Sequence, residues 1–291
     1  MANEHDKEID EVTGTDTTGH EWDGIKELNT PLPKWWLYTF YVTVAWGLGY
    51  TIFYPAWPGI SSATEGVLGY STRGAVHEAI AEAATAQSVY TDRIAAMPIV
   101  EVAADGELAQ FSQAGGAAVF RNNCSQCHGA GAAGVQAAGY PNLRDDAWLW
   151  GGDLEAIEHT IRHGIRYEGD DDTRYSEMPA FGDMDILTAE EIDAVADHVL
   201  SLSGGATSTE MGATIFVEQC AACHGDGGEG IPDLGAPNIA DAIWLYGGSK
   251  DKVVETITHS RYGVMPGWTA RLTDAQIKQA AIYVHSLGGG Q

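Results

Sequence analysis

GAAVFRNNCSQCHG, residues 116–129, returns as GATIFVEQCAACHG at residues 212–225, an offset of 96. The same register lays Pro141-Asn142-Leu143 on Pro237-Asn238-Ile239, and Trp148-Leu149-Trp150-Gly151-Gly152 on Trp244-Leu245-Tyr246-Gly247-Gly248. Two copies describe a tandem pair of similar domains and not a solenoid. Each copy holds a Cys-x-x-Cys-His run: Cys124, Cys127 and His128, then Cys220, Cys223 and His224. This is the attachment pattern for haem c. Two thiols three apart can each form a thioether with a vinyl group on one porphyrin edge, and the next histidine swings its imidazole onto the iron. These four cysteines are the chain's full complement, so none is left for a disulfide framework. A zinc site would want two further ligands close by. A thioredoxin-like redox pair would need no histidine.

The sixth ligand decides the chemistry. Met178-Pro179 and Met265-Pro266 occupy corresponding places ahead of the last helix of each copy. A thioether ligand raises the potential, as in the His/Met cytochromes c. With both axial places filled neither iron offers a site for oxygen or peroxide, so electron transfer is expected and no catalytic residue is assigned. Four other residues compete. Met184 has no counterpart in the second copy, and Met97-Pro98 lies upstream of the first motif. His163 and His259 match each other but fall inside expected helices.

Helices are expected to lead into each first cysteine, with Phe120 and Phe216 in the core, and to run near 153–163 and 249–259. The final helix of each copy opens on a capping box, Thr188 to Glu191 and Thr273 to Gln276. Apolar residues then recur at helical spacing: Ile192, Val195, Val199 and Leu202, and Ile277, Ala281, Val284 and Leu287. The copies differ where the first carries YEGDDDTRYS, residues 167–176, an acidic insertion of about nine residues. It reads equally as a docking surface for a basic cytochrome or as a solvated loop.

Upstream, residues 58–107 form a connector with a helix starting near Ser71-Thr72 and ending before Met97-Pro98. From Trp35 to Trp57 no residue is charged, and aromatics crowd both ends. That is long enough to cross a bilayer, with interfacial rings where they belong. Ala45 and Gly49, four apart, either let a second helix approach or simply face lipid. The 34 polar and acidic residues ahead of this run do not resemble a cleavable leader, so a permanent anchor is expected. Because haem c is attached outside the bacterial inner membrane, the tail 1–34 is expected in the cytoplasm and everything after about residue 58 in the periplasm.

The chain of 291 residues carries 15 Lys+Arg against 41 Asp+Glu, a formal net charge of −26. Such a surface does not bind nucleic acid, which needs basic side chains for its phosphates. It suits a basic protein partner steered in from a distance. The expected fold class is all-α: a transmembrane helix at 35–57, the connector 58–107, then two class I cytochrome c domains at 108–203 and 204–291.

The whole chain resembles the dihaem subunit (CcoP or FixP) of cbb3-type cytochrome c oxidases. The likeness rests on Trp22-Asp-Gly-Ile-Lys-Glu-Leu-Asn29, Pro31-Leu-Pro-Lys-Trp-Trp36, the exit Tyr54-Pro-Ala-Trp-Pro58 and the two haem motifs. It implies two covalent haems c held by Cys124, Cys127, Cys220 and Cys223. His128 and His224 would be the proximal ligands, and Met178 and Met265 the distal ones. It further implies electrons arriving from a cytochrome c or a bc1 complex and leaving for a monohaem subunit and a haem–copper catalytic subunit that reduces oxygen. Each methionine serves its own copy or the other's, and the short join near Ser203–Thr209 permits both. Some relatives have two membrane spans, where one is expected here. The rival readings are a membrane-anchored carrier for a different acceptor and a dihaem peroxidase.

Overall fold

The computed structural model describes residues 8–241 and 243–290. Two compact units divide the chain, one running to Ala84 and the other starting at Thr85.

The first unit begins with a structure the all-α expectation lacked. Strands β1 (Thr17–Trp22) and β2 (Ile25–Leu28) form an antiparallel hairpin with Trp22 opposite Ile25. Asp23 and Gly24 both take positive φ, 50° and 83°. This is the turn an Asp-Gly pair favours because its twist matches that of the flanking strands. The expected tail is therefore partly a hairpin, and its first seven residues lie outside the described part of the chain. Helix α1 (Lys34–Phe53) follows and stops four residues short of the expected Trp57. Tyr54 is extended (φ −119°, ψ 160°), as the residue ahead of Pro55 must be to avoid the proline ring. No residue of α1 is buried. No helix among the described residues is long and apolar enough to cross a membrane. In α1 the tryptophans, tyrosines and threonines, whose polar groups like water, dilute the Leu, Val, Ile and Phe content.

Helix α2 (Thr72–Ala96) starts in the first unit, where Ser71 Oγ accepts the Gly74 N–H at 2.8 Å, and ends in the second. Then come α3 (Ile99–Ala104) and α4 (Gly106–Val119), the latter capped by the Asp105 carboxylate. The remaining helices are α5 (Ser125–His128), α6 (Leu154–His163), α7 (Ala189–Leu202), α8 (Glu210–Ile215), α9 (Ala221–His224), α10 (Lys250–His259) and α11 (Asp274–His285). Both expected capping boxes form, Thr188 with Glu191 and Thr273 with Gln276.

The packing lobes do not coincide with the sequence copies. One core joins Val119, Phe120, Ile157 and Ile161 of the first copy to Leu272, Ile277, Ala281 and Val284 of the second, with Ile94, Ile99 and Val102 added from the connector. The other joins Val195, Ala196 and Val199 of the first copy to Ile215, Phe216 and Val253 of the second. Each final helix has crossed over. Helix α11 packs on α4 and α6, and α7 packs on α8 and α10.

The crossings are equivalent and tight. A Cβ at Gly116 would run into the Gln279 carbonyl, and one at Gly212 into the Ala194 carbonyl. Phe120 meets Tyr283 at 5.5 Å between ring centroids, and Phe216 meets His198 at 4.9 Å. The cause is the join between α7 and α8. Helices linked by so short a turn pack as neighbours. Helix α7 is thereby committed to α8, and α11 is left to close the core on α4.

Candidate haem-binding sites

Each attachment motif is delivered by the same local device. The helix entering it loosens into a π turn, Phe120–Cys124 and Phe216–Cys220, before one tight α turn carries the histidine. Such turns cluster at functional sites. Gly129 (φ 79°) and Gly225 (φ 80°) end that turn in a conformation closed to side chains. The chain then folds back, the Gly134 N–H reaching the His128 carbonyl at 2.8 Å and the Gly230 N–H the His224 carbonyl at 2.7 Å.

Cys127 and Cys223 are exposed, and Cys124 and Cys220 half-buried, and no disulfide joins them. Burial, and secondarily the neighbouring cysteine, pushes the Cys124 and Cys220 thiols up to about 11. Both thiols are therefore protonated at neutral pH.

The histidines fit an iron ligand. His128 Nδ1 lies 3.2 Å from the Pro141 carbonyl and His224 Nδ1 lies 2.9 Å from the Pro237 carbonyl. A carbonyl can only accept, so Nδ1 carries the proton and Nε2 keeps a free lone pair. Burial lowers both imidazole pKa values, and the proline carbonyls oppose it weakly. Both rings are thus neutral, with fixed tautomer and orientation, the arrangement metal-binding histidines need. In the sequence the Pro-Asn-Leu/Ile motif marks only the repeat, and the folded loop reveals its proline carbonyls as the histidines' partners.

Each Met-Pro segment runs along the other copy's helix. Ile165 and Met265 exchange backbone hydrogen bonds of 2.9 and 3.0 Å, and the Trp268 N–H reaches the Ile161 carbonyl at 3.1 Å. Met265 packs on the core that holds Phe120 and Cys124. Conversely, the Phe181 N–H reaches the Ile257 carbonyl at 3.1 Å, and the Ser260 hydroxyl donates to the Met178 carbonyl. The chain thus brings Met265 to the first motif's lobe and the Met178 segment to the second's.

The competing candidates have other occupations. His163 faces the Asp170 carboxylate at 3.1 Å and His259 that of Asp183 at 3.0 Å. Met184 is 62 % exposed, and Met97 packs on the connector side of the first core. Trp148 and Trp244 pack one on each core.

Duplicated attachment loops on helical lobes, with an oriented imidazole in each, define a tandem c-type cytochrome. The family model described as "Cytochrome C oxidase, cbb3-type, subunit III" matches residues 112–199 and 207–284, and "N-terminal domain of cytochrome oxidase-cbb3, FixP" matches residues 14–61. The cbb3-type cytochrome c oxidase subunit CcoP of Cereibacter sphaeroides is 54% identical over 278 residues, 94% of this chain and 95% of that protein. Subunit FixP of Sinorhizobium medicae is 50% identical over the full length of both chains. Subunit CcoP of Azospirillum sp. is 51% identical over 97% of this chain and 98% of its own. The chain belongs to the family of subunit III of cbb3-type cytochrome c oxidases, whose repeated domains carry covalently bound haem c.

Proposed function

We propose that this chain relays single electrons from a cytochrome c or a bc1 complex, through two haems c, toward the oxygen-reducing subunit of a cbb3-type oxidase. The observation that carries this reading is the pair of Cys-x-x-Cys-His loops whose histidines each give Nδ1–H to a proline carbonyl and keep Nε2 free. When bound, each haem supplies a one-electron ferric/ferrous couple. Cys124 and Cys127 would hold one, and Cys220 and Cys223 the other. His128 and His224 would ligate the irons from the proximal side. On the distal side the ligation would be crossed, Met265 serving the iron held by His128 and Met178 the iron held by His224. The backbone pairing of Met265 with Ile165 and the contact of Ser260 with Met178 support this assignment.

The repeats 108–203 and 204–291 are the two cytochrome c domains of the sequence, and each haem would be enclosed by segments of both. Helix α1 would be the membrane contact, crossing once in the company of partner helices and not as a lone span, with the N-terminal segment in the cytoplasm and the haem lobes in the periplasm. Support comes from a surface with no buried residue, no charge from Trp35 to Trp57, and aromatics at both ends. Partner helices there would offset the cost of its weakly polar rings. The net charge of −26 favours a basic donor.

Acid–acetone extraction of the denatured chain should leave two haems on the polypeptide; a colourless polypeptide would refute the reading. In a chain reduced to one haem by Cys220→Ser and Cys223→Ser, Met265→Leu should lower that haem's potential. An unchanged redox titration would mean that each methionine serves its own copy.

A further inference from the structure

Two polar atoms at the seam between the copies have no hydrogen-bond partner among the described residues although solvent does not reach them: Trp150 Nε1 and Arg174 Nε. They belong together, the Arg174 guanidinium lying 5.4 Å from the centre of the Trp150 ring. A buried N–H without an acceptor is costly, so two on adjacent side chains ask for a shared acceptor.

Charge sharpens the point. In a chain with 41 acidic residues and 15 basic ones, Arg174 makes no ion pair of 4 Å or less among the described residues. Its remaining contact is Nη2 to the Ala156 carbonyl at 3.5 Å. Asp153 and Asp233 act on it only from a distance, and burial pulls its pKa down. Asp153 is already committed to capping α6, accepting from the Ala156 N–H. His159 on the same helix also senses the guanidinium. Arg166, the other half-buried arginine nearby, is served by the carbonyls of Ser176 and Gly263 at 2.7 and 2.9 Å.

The repeat provides the contrast. Tyr246 stands at the position of Trp150, and Arg261 lies 4.8 Å from its ring centre. Arg261 is satisfied within the protein, by Thr256 Oγ1, the Lys252 carbonyl and the Glu255 carboxylate. Arg174 comes from the insertion 167–176. It is locked there by Arg166 N–H to the Arg174 carbonyl at 2.8 Å and Arg174 N–H to the Gly164 carbonyl at 3.2 Å. The insertion therefore delivers an unpaired guanidinium that has no counterpart in the second copy, beside a Trp150 ring that also lies against Gly235 of the second copy's loop. Trp150 sits on the loop that also carries Pro141, whose carbonyl orients His128.

We propose that Arg174 Nε and Trp150 Nε1 are the donors that receive a propionate carboxylate of the haem attached at Cys124 and Cys127, holding it ionised and raising that haem's potential above its partner's. The proposal rests on haem attachment at that motif. An ionised carboxylate near the iron favours the ferric state, and a guanidinium paired to it cancels that preference.

The test is a potentiometric titration of the full-length, haem-loaded chain in detergent from pH 5 to 8, wild type against Arg174→Met and Trp150→Phe. Haem stain on denatured protein first confirms two attached haems, so failure of attachment is read separately. In wild type the potential at this haem should be nearly flat with pH. In Arg174→Met the reduced-to-oxidised ratio of one haem at pH 8 should fall about tenfold, 59 mV for a one-electron couple. It should recover as the propionate protonates toward pH 5. Trp150→Phe keeps the ring and should give a smaller shift of the same sign, and Arg174→Lys should restore part of the loss. Potentials and pH slopes unchanged in both variants, or both haems shifted equally, would overturn the proposal.

Discussion

The lobe around Cys124 and the lobe around Cys220 start from the same fourteen-residue pattern but are not equally built. In the first, α4 has 14 residues and leans on α3, and the connector adds Ile94, Ile99 and Val102 to the core. In the second, the corresponding α8 has only six residues, and its core holds half as many buried side chains. Helix α11, which closes the first lobe, buries even Lys278, whose ammonium reaches the carbonyls of Ile94 at 3.1 Å, Ala95 at 3.0 Å and Met97 at 2.5 Å. The matching position of α7 is Asp193, exposed and paired with Lys250. A duplicated sequence thus becomes one strongly buried lobe and one thinner lobe, because only the first has a connector to pack against. The difference lies in tertiary burial, the main source of helical stability in proteins.

Cutting the chain between the copies is the most decisive way to break this comparison. A specific protease site placed at Gly204-Gly205 should, after cleavage, leave two fragments that elute together and part only in denaturant, since each lobe contains helices of both. Fragments that separate on dilution would mean that the lobes follow the copies.

Lys278→Met should cost about 1–3 kcal/mol, since three carbonyls lose a charged donor. The loss should appear as faster amide exchange in α11, α4 and the end of α2, with α7 and α8 unchanged. Loss spread evenly over both lobes would remove the distinction between them.

The smallest effects are those of the caps, about 1 kcal/mol each. Thr273→Ala should speed exchange in the lobe of Cys124, and Thr188→Ala in the lobe of Cys220. The reverse pattern would undo the crossing.

Local sequence signals specified a good deal of this molecule. The repeat, both attachment motifs, both capping boxes and the helices around 153–163 and 249–259 depend on spacing and on side chains a few residues apart, and they form as the sequence implies. The hairpin at Asp23-Gly24 was equally local, an Asp-Gly turn written inside the tail. Pairing with partners far along the chain was not legible. Near-identical copies offer each final helix two nearly equivalent partners, and the choice falls to the length of the α7–α8 join and to the total area buried. The acceptors of His128 and His224 and the meeting of Arg174 with Trp150 depend on loops closing in three dimensions. Residue types and spacings therefore determined which attachment motifs and helices exist, while tertiary packing decided which segments pack around which motif, because that choice is made by burial and chain connectivity and not by local propensity.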